Sequence, residues 1–267
     1  MSQLRLVLLR HSFSMGNALR KFSGMGDVEL APEGIQMVRD YRSQGFYERC
    51  AVAQRYYSSP LRRCLQTFEL AFGGQARLDG IVLSLHEVDF GEMEGTSLPP
   101  DEVAAFFSRW TQGEPQSGAP SLEPLAHLRD RGCAVVRALA LDCVASGVES
   151  ACLVTHSAIS RAALAGLAGL PLRDWLDIPM PNALGYVLTL DVDEASAASA
   201  PAGLITPMEA FTSPYDHDAA RAADAALLAA SPAPRPDGSP FDDVRLVSAV
   251  PYGPADAIAS CPTITPA

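Results

Sequence analysis

The chain has 267 residues, 48% of them hydrophobic and 19% charged, enough apolar material for one large domain or two small ones and too much for disorder throughout. Its formal net charge is -11 and Lys21 is its only lysine. Broad binding to nucleic acid or anionic membranes, which needs clustered Lys and Arg, is therefore excluded, and an anionic ligand must be met by a local group of arginines. No stretch is long enough to span a bilayer, and the opening MSQLRLVLLRH is too short an apolar run for a signal-peptide core. Six cysteines form no CxxC pair, so a reduced, cytoplasmic setting is expected.

In chain order, Leu4–Leu9 reads as a short buried strand, and Pro32–Gln44 has helical character after a turn-rich loop. Arg55–Ser59 is a second strand, Ser59-Pro60 opens a helix through Phe72, and Ile81–Leu85 is a third strand. A helix-rich stretch spans Asp101–Gly147, Ala151–Thr155 is a fourth strand leading into a helix over Ser157–Leu167, and Leu184–Leu190 is a fifth. Alternating strands and helices predict an α/β fold, a mainly parallel sheet with helices on both faces and ligands at the carboxyl ends of its strands.

Residues 1–190 are thus expected to form one α/β domain, and 191–267 an acidic, Ala/Pro-rich C-terminal extension. The extension carries 11 acidic against 3 basic residues, with a short helix over Ala219–Ala230 and a strand over Val244–Val250 as its ordered candidates. It is expected to pack away from the site, because its charge would otherwise oppose the arginines.

Four strand ends carry ionisable residues: Arg10-His11, Arg62-Arg63, His86-Glu87 and His156. Gathered at one sheet edge, they supply a nucleophile, charge stabilisers and a proton donor, which is sufficient for phosphoryl transfer without a metal. His86, His127 and His217 have no functional reading of their own, and Arg129, Arg131 and Arg137 are assigned to an exposed helix face. Phe90, Met93, Phe106, Phe107 and Trp110 fit either a pocket or the core.

LVLLRHSFSMGN resembles the RHG signature of the histidine phosphatase superfamily, the phosphoglycerate mutase-like proteins. SSPLRRCLQT, LHEVDFGEMEG and LVTHSAISRAAL resemble, in order, its second arginine, glutamate and second histidine motifs, so the likeness covers about residues 4 to 190. The resemblance implies His11 as nucleophile, Arg10, Arg63 and His156 as phosphate pocket, Glu87 as proton donor, Asn17 as a phosphate-positioning residue, and His156 as a member of the catalytic set. Ser23, in the segment RKFSGMGDVELAPEG that looks like the loop and helix start of the mutase branch and of many phosphatases, is an expected substrate contact. Ser12 stands where the family usually has glycine, where it would narrow the pocket or donate to phosphate.

The expected activity is that of a metal-independent phosphatase acting on a small phosphorylated metabolite, with no cofactor, no nucleic acid and no membrane. The alternatives are a cofactor-dependent phosphoglycerate mutase and a weakly active member that binds phosphorylated ligands. Val88 stands where the mutase branch usually has Arg, and no lysine lies between Val88 and Thr155, so hydrolysis is expected to outrun transfer.

Overall fold

The computed structural model describes residues 1–114, 118–198, 203–211, 215–232 and 241–266; the parts of the expected extension at 199–202, 212–214, 233–240 and 267 lie outside the described residues. In chain order the elements are β1 (Ser2–Arg10), α1 (Met15–Ala18), α2 (Pro32–Ser43), α3 (Phe46–Cys50), β2 (Arg55–Ser58), α4 (Arg62–Phe72), β3 (Gly80–Ile81), α5 (Pro100–Thr111) and α6 (Leu125–Ala145). They continue with β4 (Ser150–Thr155), α7 (Ser157–Leu167), β5 (Gly185–Val192), α8 (Glu194–Ala197), α9 (His217–Ala230), β6 (Val244–Tyr252) and α10 (Ala255–Ile258).

One six-stranded sheet runs in the order β3-β2-β4-β1-β5-β6. β3, β2, β4 and β1 pair in parallel, while β5 and β6 add on as antiparallel strands at the β1 side. The residues after 190 thus contribute a strand to the sheet that carries the motifs.

The twofold period of β1 divides the core. Leu4, Leu6 and Leu8 face the layer made with α6 and α7, and Val7 and Leu9 face the layer that includes α2 and α4. β4 does the same, with Ala151 and Leu153 on the first side and Cys152 and Val154 on the second. Both faces are covered, so these strands read as continuous apolar runs. On α4, Cys64, Phe68, Ala71 and Phe72 recur at helical spacing and are buried against the sheet.

Two local expectations fail. The apolar run Ile81–Leu85 is strand only at Gly80–Ile81 and then winds into a 3₁₀ turn over Leu83–Leu85, because so short a run buries itself equally well as either form. The helix expected from Ser59-Pro60 begins at Arg62 instead, with Leu61 as its N-cap, and the Ser59 hydroxyl sits ahead of it, 2.6 Å from His156 Nε2 while accepting from Leu61 N at 3.4 Å.

Candidate active site

β1 and β4 lie side by side with Arg10 opposite Thr155, so the residues that follow them, His11 and His156, emerge as neighbours. The His11 N–H extends the ladder to Thr155 O at 2.8 Å, and the two imidazoles meet edge to face with centroids 5.1 Å apart. Nδ1 of His11 lies 2.6 Å from Ser12 O. A carbonyl can only accept, so Nδ1 carries the proton and Nε2 holds the free lone pair. Burial first, then the charges of Arg63 and Arg10, hold this imidazole well below its ordinary pKa. The ring is neutral, as a nucleophile must be.

His156 is fully buried and stands behind His11, off the wall of the adjoining cavity. Arg63 Nε, which can only donate, lies 3.3 Å from its Nδ1, so Nε2 is the protonated nitrogen and donates to Ser59 Oγ at 2.6 Å. Burial and then Arg63 keep its pKa well below the ordinary value. Both ring nitrogens are engaged, which leaves His156 orienting its neighbours in this arrangement.

Of the arginine pair that opens α4, Arg63 is buried and lines the cavity, whereas Arg62 is on the surface with Glu29 at 2.7 Å. Arg63 also donates to Gly26 O (2.8 Å), Ser23 O (3.1 Å) and Gly24 O (2.7 Å), tying the 23–26 loop to the site. Arg10 donates to Met180 O, yet its Nε is buried with no protein acceptor. Burial, and next the nearby Arg161 charge, bring its pKa down to about 10, so it remains a cation at neutral pH.

Asn17 lines the cavity, but its amide oxygen accepts from Ser14 N and Ser14 Oγ, both at 3.0 Å, in the capping box of α1. Only its NH2 group remains for a ligand. Ser23 lines the cavity with its hydroxyl 3.4 Å from Lys21 O. Gly16 permits that approach, since a Cβ there would fall 2.0 Å from Ser23 Oγ.

Ser12 departs from the expectation of a narrowed pocket or a phosphate contact. Its side chain points away from the cavity, donating to Gly34 O at 2.8 Å, and its N–H is bound by Thr67 Oγ1 at 3.0 Å. The close approach relies on Gly34, where a Cβ would lie 2.0 Å from Phe13 O.

Of the four acids in LHEVDFGEMEG, only Glu87 lines the cavity. Its Oε2 accepts from Ala158 N (3.0 Å) and its Oε1 from Ile159 N (3.0 Å), both at the N-terminus of α7, and from Val88 N (3.2 Å). Glu92 accepts from Ser121 N, and Glu94 holds the amides of Gly24, Met25 and Gly26.

The backbone around Glu87 is pinned by side chains that the sequence reading passed over. Arg131 is fully buried inside α6, not on an exposed face. It donates to Ser84 O (2.8 Å), His86 O (2.9 Å) and Glu87 O (3.3 Å) while pairing with both carboxylate oxygens of Glu123. His86, also buried, donates from Nδ1 to Glu87 O at 2.7 Å, and its Nε2 meets Asp224 Oδ2 of α9 at 2.8 Å.

Arg161 was also missed. It lines the cavity with Nε on Ile178 O at 2.7 Å and lies close enough to bear on the charge of Arg10. Its signal is the four-residue spacing from Ser157, which places both on one face of α7.

The Histidine phosphatase superfamily (branch 1) model matches residues 6–200, and the chain belongs to that family. An acid phosphatase of Mycobacterium tuberculosis is 31% identical over 180 residues, 67% of this chain and 83% of that protein. A 2,3-bisphosphoglycerate-dependent phosphoglycerate mutase of Enterococcus faecalis is 29% identical over 133 residues, 49% of this chain and 57% of the other. The solved structure of an open reading frame product from Mycobacterium tuberculosis superimposes with a TM-score of 0.55 at 26% identity, covering 70% of this chain and 90% of that one.

Proposed function

We propose that this protein is a phosphatase that hydrolyses a small phosphomonoester through a phosphohistidine on His11. The observation that carries the reading is the His11 tautomer: Nδ1 is fixed as a donor on Ser12 O, so Nε2 offers its lone pair in a cavity walled by Arg10, Arg63 and Glu87.

Nε2 attacks phosphorus and the P–O ester bond breaks. Arg10, with its unpartnered Nε, and Arg63 offset the charge on the equatorial oxygens, and Asn17 offers its NH2 group to them. Glu87 gives its proton to the departing alcohol oxygen. A water then attacks phosphorus, passes its proton to Glu87, and the P–N bond breaks to release phosphate. His156, held by Ser59 and Arg63, keeps the His11 ring in line.

Hydrolysis is favoured over mutase transfer because Val88 and the lysine-free stretch up to Thr155 supply few cations for a second phosphate. A cytoplasmic site of action belongs to the same proposal, supported by the free thiols of Cys64, Cys133, Cys143, Cys152 and Cys261. Among the described residues no helix is long and apolar enough to cross a membrane.

The test is rapid quench with a 32P-labelled ester. Label should appear on wild-type protein in an acid-labile, base-stable form, and His11→Ala should lose both the label and about 10⁴-fold or more of phosphate release while keeping its fold. Unlabelled wild type, or a folded His11→Ala protein of near-normal activity, overturns the proposal.

A further inference from the structure

The cavity that reaches His11 has a volume of about 560 Å³, within the range of roughly 300–1,000 Å³ typical of small-molecule sites. Its two ends differ in chemistry. Arg10, Arg63 and Arg161 surround the His11 end, and Glu87 is the only carboxylate among the described residues that line it. Away from that end the wall is hydrocarbon: Phe22, Phe90, Leu98, Phe107, Trp110 and Trp175.

These rings form one contiguous surface. Phe22 and Phe90 have centroids 4.9 Å apart, Phe107 and Trp110 6.1 Å, Phe90 and Trp110 6.4 Å, and Trp110 meets Trp175 edge to face at 5.4 Å. Neither indole N–H is left for a ligand. Trp110 Nε1 donates to Glu123 O at 2.9 Å and Trp175 Nε1 to Thr111 Oγ1 at 3.1 Å. The wall therefore offers area without directional hydrogen bonds, and a sugar or amino-acid residue placed against it would lose water contacts with no replacement.

We infer that the alcohol part of the substrate is an apolar alkyl or aryl group seated on this aromatic wall. The inference rests on the phosphatase reading above and narrows it to phosphomonoesters of hydrophobic alcohols. The competing chemistry is a second anionic group held by Arg20 and Lys21, which also line the cavity. Both are exposed, so their attraction is weakened by water and salt, whereas Phe90, Trp110 and Trp175 are buried and Phe22 and Phe107 half-buried.

The experiment has two arms on the full chain. The first measures kcat/KM for ethyl, butyl and hexyl phosphate, whose leaving groups are nearly matched, beside 3-phosphoglycerate. The second measures binding of ethyl-, butyl- and hexylphosphonate, which cannot be hydrolysed, by calorimetry. Each added methylene should raise kcat/KM and affinity about fourfold, the equivalent of about 0.8 kcal/mol per buried CH₂. Phe107→Asn on α5, and separately Leu98→Asn, should lower the hexyl compounds more than the ethyl ones. Two variants are used so that misfolding of one leaves the result readable.

A flat chain-length series in both arms, or 3-phosphoglycerate outrunning hexyl phosphate in a salt-sensitive way, overturns the inference and leaves the phosphatase reading standing. Rising phosphonate affinity without hydrolysis of any ester would do the reverse, upholding the ligand class and removing the phosphatase.

Discussion

The two sides of the catalytic cavity are built by different means. On the nucleophile side, Arg10 ends one strand and His11 and His156 follow adjacent strands whose ladder fixes them, with His11 N–H still bonded to Thr155 O. On the carboxylate side, Glu87 follows a 3₁₀ turn outside the sheet, and its backbone is held by Arg131 from α6 and His86, itself held by Asp224 from α9. A sheet places a side chain through neighbouring backbone, whereas an irregular segment needs buried donors brought from elsewhere in the chain. The nucleophile should therefore tolerate losses outside the sheet that the carboxylate does not.

The largest break in that comparison is Arg131→Met. It removes the guanidinium that pairs with both oxygens of the buried Glu123 carboxylate, leaving that carboxylate to His127 Nδ1 and Asp89 N, and frees the carbonyls of Ser84 and His86, so a loss of about 3–5 kcal/mol is expected. Denaturant unfolding checks it. A loss below about 1 kcal/mol would mean that the segment before Glu87 holds itself.

On the nucleophile side the strain is acid. Burial, then Arg63, lowers the pKa of both His11 and His156 below the unfolded value of about 6.5. Their neutral forms contribute stability that is complete above that pH and is lost as pH falls through the folded values. Each should cost about 1.4 kcal/mol per pH unit once pH is below about 6.5. Glu123, whose pKa Arg131 holds low against the effect of its own burial, begins to lose stability only below about pH 4.3, and the opposite contribution of His127, raised by its bond to Glu123, is complete by about 6.5. Unfolding free energies between pH 6.5 and 5 should fall less steeply in His156→Gln than in wild type, and identical slopes would contradict a neutral buried pair.

A smaller effect separates positioning from packing. Asp224→Ala leaves His86 Nε2 without an acceptor and loosens the Nδ1 bond to Glu87 O, so alkyl phosphates, whose leaving oxygen needs the proton, should lose about 10-fold in kcat/KM. p-Nitrophenyl phosphate should lose much less, and Asp224→Asn, which keeps an acceptor, should recover most of the activity. Equal losses on both esters would make Asp224 merely structural.

The same contrast explains what could be read from sequence. His11, Arg10 and His156 were legible because a strand end followed by an ionisable residue is a local pattern, and the four motifs recur in family order. Arg131 was assigned to an exposed face because its helix gives no local sign that Glu123, eight residues away, and three carbonyls near residue 86 would surround it. His86 was passed over for the same reason, since its partner Asp224 lies 138 residues distant in a segment that reads as acidic tail. The antiparallel pairing of β6 was equally hidden, because alternation in Val244–Tyr252 shows a strand but not its neighbour.

Ser12→Gly gives the smallest expected effect and the sharpest test of how self-sufficient the sheet side is. The substitution restores the residue that the family resemblance leads one to expect, at a position buried beside the nucleophile. Its hydroxyl donates to Gly34 O and faces away from the cavity, while Ser12 O, the acceptor that fixes the His11 tautomer, belongs to the backbone and survives the change. Activity should therefore stay within about twofold, because neither the phosphate contacts nor the ring orientation depends on the side chain. Stability should fall by about 1 kcal/mol through the lost hydrogen bond and the added backbone freedom of glycine, a Tm decrease of roughly 2–4 °C for a chain of this size. Calorimetry and steady-state kinetics on the one variant read both quantities. A gain in kcat/KM of tenfold or more would show that the serine does crowd the phosphate site, and a tenfold loss would show that the backbone at residue 12 needs its side chain to hold His11 in line.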